Sequence, residues 1–265
     1  MNYSAPNPPA SARPDPVVLP HAGVIALSQD IKVRGRVFGF DESDENTRPF
    51  NLLRTQISRN VDETGRRIIG ITSATPAAGK TYVSLNLAAA MSGTANRPVV
   101  LCDLDLRRGS VLDALDVDVP SDVSTYLRGE RDNWRDALYR IDGTELYVLP
   151  CKPTRRGSSG MLSSPAFAEL IAGLRQLPDD VLILVDLPPV FASDDALLTS
   201  QHLDAYILVV EYGRNTAEQV QEAIRLLEPT PCLGTILNRY KGGYFDAYGY
   251  GYGDPYGIKN YGLED

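Results

Sequence analysis

The chain has 265 residues, 43% of them hydrophobic, which suffices for one sizeable core with tails. A formal charge of −8 excludes bulk electrostatic binding of nucleic acid, and Cys102, Cys151 and Cys232 lack metal-type spacing. No signal-peptide core and no apolar run near the roughly 20 residues needed to span a bilayer occur, so a reducing cytoplasm without disulfides is expected.

Residues 1–20 hold six prolines among Ala, Ser and Asn and read as a disordered leader. An acidic run, Asp41-Glu42-Ser43-Asp44-Glu45, follows as a solvated linker, and 33–40 is compatible with an edge strand. The leader and linker together occupy 1–47. Phe50, Leu53 and Ile57 are spaced three and four apart, which predicts an amphipathic helix over 48–59. Apolar strands are expected near 67–72, 99–103, 145–149, 181–186, 205–211 and 232–237. Helices are expected near 80–92, 164–176, 194–201 and 216–228, with shorter ones over 122–128 and 133–140. Residues 152–163 read as a flexible basic loop. Near-continuous apolar strands alternating with helices imply an α/β fold, a mostly parallel central sheet with helices on both faces. The expected folded domain is 48–239.

Chemistry concentrates at the ends of three of these strands. The first, Ile68-Ile69-Gly70-Ile71-Thr72-Ser73, leads through Ala74-Thr75-Pro76-Ala77-Ala78 into Gly79-Lys80-Thr81 and a helix. This is the strand–loop–helix context of a P-loop, in which backbone N–H groups at a helix N-terminus cradle phosphate. Lys80 would reach the β/γ-phosphates and the Thr81 hydroxyl would ligate Mg²⁺. The loop has Ala74 where the full pattern has glycine, and Ala77 and Ala78 stand where glycine would ease a positive φ. The second strand ends in Asp103-Leu104-Asp105, followed by Arg107 and Arg108. The third ends in Asp186-Leu187-Pro188-Pro189, a form that holds Mg²⁺ directly or through water. A lone aspartate at a strand end more often caps the next element. Three such ends in this order point instead to a nucleotide site on the carboxyl edge of an open sheet. Because Lys80 acts on phosphate, Lys80→Met is expected to leave the fold intact.

The last 26 residues carry Tyr240, Tyr244, Tyr248, Tyr250, Tyr252, Tyr256 and Tyr261, half of the chain's 14 tyrosines. Seven glycines are interleaved with them, so 240–265 reads as a mobile tail. By composition alone it is a low-complexity tail. Beside a phosphoryl-transfer site it becomes a set of phosphate acceptors.

Over roughly 48–261 the sequence resembles the bacterial tyrosine kinases of capsule and exopolysaccharide loci, a branch of the MinD/ParA-like P-loop ATPases with a deviant Walker A motif. The resemblance is carried by 73–81 as Walker A, 99–107 as Walker A′ and 182–189 as Walker B. It extends to Asp195-Ala196, 203–210, Gly234-Thr235-Ile236-Leu237-Asn238-Arg239 and the tyrosine cluster. It implies ATP and Mg²⁺ as cofactors. Nucleotide would bind through Ala77, Ala78, Gly79, Lys80, Thr81, Tyr82, Asn238 and Arg239, with Asn238 reading the adenine. Metal would be held by Thr81, Asp103 and Asp186. Lys80, Asp103 and Asp105 would be catalytic, the aspartates also activating the attacking tyrosine hydroxyl. The acceptors would be Tyr244, Tyr248, Tyr250, Tyr252, Tyr256 and Tyr261.

The resemblance also implies a partner, a membrane-spanning polysaccharide chain-length determinant that recruits the chain to the inner face of the plasma membrane. Homo-oligomers through neighbouring tails are a further implication. The sequence departs from the family's Glu-x-x-Arg-x-x-Arg helix at Arg48 and Asn51, keeping Arg54, and has Tyr82 where a small residue is usual. Two other readings of the same residues stand beside the autokinase: a non-kinase ATPase switch of the MinD/ParA kind, and a degenerate nucleotide-binding scaffold for a polysaccharide export complex.

Overall fold

The computed structural model describes residues 19–28, 31, 37–41, 43–93, 97–154 and 157–240. They build one eight-stranded sheet: β1 (Gly23–Ile25), β2 (Ile68–Ser73), β3 (Val99–Asp103), β4 (Tyr139–Ile141), β5 (Leu146–Leu149), β6 (Leu182–Asp186), β7 (Ala205–Glu211) and β8 (Cys232–Asn238). The strand order is β1-β4-β5-β3-β6-β2-β7-β8. All pairs are parallel except β4 with β5, so β1 and β4 run against the other six. Strands β2, β3, β5 and β6 are buried at every position, as a parallel sheet covered on both faces requires.

The helices are α1 (Arg48–Thr64), α2 (Lys80–Ser92), α3 (Ser110–Leu115), α4 (Val123–Leu127), α5 (Ser158–Leu162), α6 (Pro165–Arg175), α7 (Asp195–Ser200) and α8 (Ala217–Leu226). Helix α1 starts with Pro49 in its first turn and buries Phe50, Ile57 and Val61. It ends at Gly65, whose φ of 69° is the left-handed C-cap that glycine adopts freely. Helix α2 is buried around nearly its whole circumference, from Val83 through Ser92, between α1 and the sheet. Helix α8 opens with a reciprocal capping box between Thr216 and Gln219.

Four expectations need correction. Residues 37–40 form no strand; the edge strand is β1, inside the stretch expected to be linker, and residues 33–36 lie outside the described ones. Leu19, Ile25, Ile31 and Val37 are buried in the core, so the folded unit extends N-terminal to residue 48. The helix expected over 133–140 is a 3-10 turn, Trp134–Ala137, followed by β4. In β4, Tyr139 and Ile141 face inward and Arg140 does not, a period of two that a helix cannot satisfy. The basic loop 152–163 closes into helix α5 over Ser158–Leu162, while residues 155 and 156 lie outside the described ones. Helix α3 was not foreseen. Tail residues 241–265, with all six acceptor candidates, also lie outside the described residues.

Candidate nucleotide and metal site

Strands β3, β6 and β2 are consecutive in the sheet and parallel, so their carboxyl ends open on one edge. Asp103 and Asp186 are register partners across β3 and β6. The loop 74–79 leaves β2 beside them and delivers Lys80 and Thr81 at the start of α2. The three strand ends singled out in the sequence therefore meet at one place, and Lys80, Thr81, Asp103, Asp105 and Asp186 are brought together.

Their contacts are specific. Lys80 Nζ lies 3.4 Å from Asp105 Oδ2, with both side chains almost fully buried. Thr81 Oγ1 donates to Asp186 Oδ2 at 2.6 Å, and Ser84 Oγ donates to Asp186 Oδ1 at 3.0 Å. Asp103 accepts through both oxygens, from the N–H of Asp105 and that of Val111, each at 3.1 Å. Burial pushes the Asp103 carboxyl well above its ordinary range, and the neighbouring Asp186 carboxylate adds to the effect against the Val111 N–H. Burial also raises Asp186, opposed by Lys80 and by the Thr81 and Ser84 hydroxyls. Three buried aspartates, Asp103, Asp105 and Asp186, share the single Lys80 ammonium, and a divalent cation would offset the negative charge that their ionised forms leave.

The loop has the backbone that phosphate binding needs. Gly79 takes φ 90° and packs so closely on Asn238 that a Cβ there would collide with its amide nitrogen. No side chain caps α2, so its first N–H groups face an anion's position. Of the two alanines, Ala77 adopts the left-handed region at φ 66° and Ala78 does not. Asn238 Nδ2 donates to the Ala78 carbonyl at 2.8 Å, which ties the end of β8 to the loop. Arg239 has φ 59° and bonds Glu211 Oε1 through Nη1 at 2.8 Å. Tyr82 lies on the far side of this turn, its ring edge-on to Phe50 of α1 at 5.7 Å.

The donor set suits Mg²⁺, a hard cation that takes oxygen ligands and uses few protein carboxylates, relying on water and substrate phosphates for the rest. Among the described residues there is no group of three or more His, Cys, Asp or Glu that could hold a metal ion.

Two participants, Ser84 and Ser110, escaped the sequence reading, and Arg107 was named there without its partners. Ser84 is one helical turn beyond Lys80 and shares its face, a spacing visible in the sequence. Ser110 Oγ lies 2.7 Å from Thr81 Oγ1, a contact with no local signal. Arg107 of the Walker A′ segment donates through Nε to Asp195 Oδ2 at 2.9 Å and to Ser158 Oγ at 3.1 Å. That joins the Asp105 loop to α5 and α7.

No family model matches the chain. Tyrosine-protein kinase Wzc of Salmonella typhimurium is 31% identical over 207 residues, 75% of this chain and 28% of Wzc. The kinase domain of Escherichia coli tyrosine kinase ETK superposes with a TM-score of 0.69 at 26% identity, covering 84% of this chain and 93% of that one. The chain belongs to the bacterial tyrosine-kinase family. Its wider kinship is with the MinD-like P-loop ATPases: Pyrococcus horikoshii MinD, solved with Mg-ADP, aligns at 28% identity with a TM-score of 0.54, over 66% of this chain and 70% of MinD. The chain spans 28% of the length of the first curated relatives it matches. No helix among the described residues of this tyrosine-kinase family member is long and apolar enough to cross a membrane.

Proposed function

We propose that the chain is an ATP- and Mg²⁺-dependent protein-tyrosine autokinase that phosphorylates its own C-terminal cluster, Tyr244, Tyr248, Tyr250, Tyr252, Tyr256 and Tyr261. One observation carries this reading: Lys80, Thr81, Asp103, Asp105 and Asp186 meet at one sheet edge in a chain whose last segment is rich in tyrosine.

The backbone of 77–82 would hold the phosphates, with Lys80 turning from Asp105 toward the β/γ-oxygens. Thr81, Asp103 and Asp186 would hold Mg²⁺, which supplies charge neutralisation when bound. Asn238 and Arg239 would border the adenine. A free tyrosine hydroxyl has a pKa near 10, so attack on phosphorus needs a proton acceptor beside it. Asp105, once released by Lys80, would accept that proton. The tyrosine Oη–phosphorus bond forms, the bond from the γ-phosphorus to the bridging oxygen breaks, and ADP leaves. Positioning and fixed charge do most of the work in such a transfer.

The resemblance to kinases of polysaccharide loci supports a role in polymerisation and export of exopolysaccharide or capsule. A membrane-spanning chain-length determinant would be both activator and anchor, and oligomers would form through neighbouring tails. Labelled ATP and Mg²⁺ test the core of the proposal, with phosphate expected between Tyr240 and Tyr261 of the wild type and none in Lys80→Met. A wild-type tail left bare even beside the membrane partner would sink it.

A second reading is a MinD-like ATPase switch, favoured by the structural likeness to MinD. It calls for ATP-dependent dimers and for hydrolysis that persists unchanged when the tail tyrosines become phenylalanine, without any phosphotyrosine in the wild type.

A further inference from the structure

Thr81 Oγ1 has two oxygen neighbours, Asp186 Oδ2 at 2.6 Å and Ser110 Oγ at 2.7 Å. A threonine hydroxyl carries one hydrogen and two lone pairs, and an ionised carboxylate only accepts. With Asp186 as a carboxylate, the Thr81 hydrogen is committed to it. The hydrogen between the two hydroxyls must then come from Ser110, which fills one Thr81 lone pair and leaves one open. The three-centre arrangement fixes the direction of that remaining lone pair.

Ser110 is itself held in place. Gly109, at φ 51°, packs against the Cys151 carbonyl so tightly that any Cβ would collide with it. The next residue, Val111, donates its N–H to Asp103 Oδ2. The Leu106 carbonyl, earlier in the same turn, accepts from both the N–H and the hydroxyl of Thr154, at 2.7 and 3.0 Å. One short segment thus touches Asp103 through its backbone and Thr81 through its side chain.

We infer that Ser110 is a positioning residue for the metal-bound nucleotide, orienting the Thr81 hydroxyl so that its one free lone pair serves the cation. The inference rests on the nucleotide-site reading and adds to it a residue that its motifs do not contain. A positioned ligand loses less freedom on binding, so the contribution is that of one neutral hydrogen bond.

The test is binding of a fluorescent ADP analogue as Mg²⁺ is titrated, with no turnover required. Ser110→Ala is expected to raise the Mg²⁺ concentration for half-maximal binding about 3- to 10-fold. Its affinity for the nucleotide without metal should match the wild type. Ser110→Thr keeps the hydroxyl and restores the wild-type curve. Ser110→Cys, a weaker donor of similar size, falls between them and replaces the alanine variant if that one fails to fold. Coincident Mg²⁺ curves for wild type and the donor-deficient variant overturn the Ser110 inference alone. Equal weakening with and without metal also overturns it, since the serine would then be merely structural. A wild type that shows no Mg²⁺-dependent binding at all overturns the site reading beneath it.

Discussion

Lys80 Nζ and Asp105 Oδ2 form an ion pair at 3.4 Å, with the lysine side chain 6% exposed and the aspartate 2%. The pair links the Walker A and Walker A′ segments. A lysine that acts only on ligand was expected to be dispensable to the fold. The structure corrects that view, because removing the ammonium leaves Asp105 buried and unpaired near Asp103 and Asp186.

Lys80→Met should therefore lose both nucleotide binding and stability. Breaking a buried pair by deleting one partner typically costs about 3–5 kcal/mol. Asp105→Asn in the same background should recover part of this loss without recovering binding. Urea melts of the single and double variants, paired with nucleotide titrations, check both halves.

Gly79→Ala should weaken nucleotide binding and destabilise the fold by at least about 1–2 kcal/mol, the usual cost of a left-handed conformation for a residue with a Cβ. The new methyl also strikes Asn238. Adding Asn238→Ala relieves the collision but not the backbone strain, so the double variant should stay below Asn238→Ala in thermal midpoint. Equal midpoints for those two would contradict the strain argument.

Burial raises the Asp195 carboxyl, yet hydrogen bonds from Arg107, Ser159 and Ser158 outweigh it and leave the group below its ordinary value. A depressed folded-state pKa gives stability that is full above the unfolded value, near 3.9, and is lost as pH falls through the folded one. Arg107→Gln should therefore cost about 1–3 kcal/mol at pH 7. The gap between variant and wild type should narrow below about pH 4. Denaturant midpoints from pH 7 to pH 3 measure this; a gap that widens on acidification would refute the assignment.

Tyr82 was expected at the nucleotide, and its backbone does stand in the first turn of α2. Its side chain, however, meets Phe50 edge-on at 5.7 Å. Tyr82→Ser, which installs a small residue, should cost about 1 kcal/mol through the lost ring pair. Nucleotide affinity should change by less than about twofold, because serine keeps the same backbone N–H. A larger drop in affinity would place the ring itself in the site.

Much of the site was legible because its parts are local. Asp186 ends an apolar run that reads as a buried strand, Lys80 and Thr81 follow another through a short loop, and the sheet edge they share follows from parallel topology. The Thr81–Ser110 contact was not legible. It depends on how a turn after Gly109 folds back across the P-loop, and that turn is shaped by the Cys151 carbonyl more than forty residues later. Strand β1 was hidden for a similar reason: three residues carry no periodic signal, and Gly23–Ile25 pairs with Tyr139–Ile141 across the chain.

From the order of its residues alone, this protein declares an alternating α/β core, strand ends that bear a lysine, a threonine and three aspartates, and a terminus crowded with tyrosine. Those features are set by periodicity and by near-neighbour chemistry. Only the tertiary structure decides that β6 lies between β3 and β2, that Asp103 faces Asp186, and that Lys80 rests on Asp105. Strand order and side-chain partners arise from long-range packing of helices on the sheet, and no stretch of chain encodes them by itself.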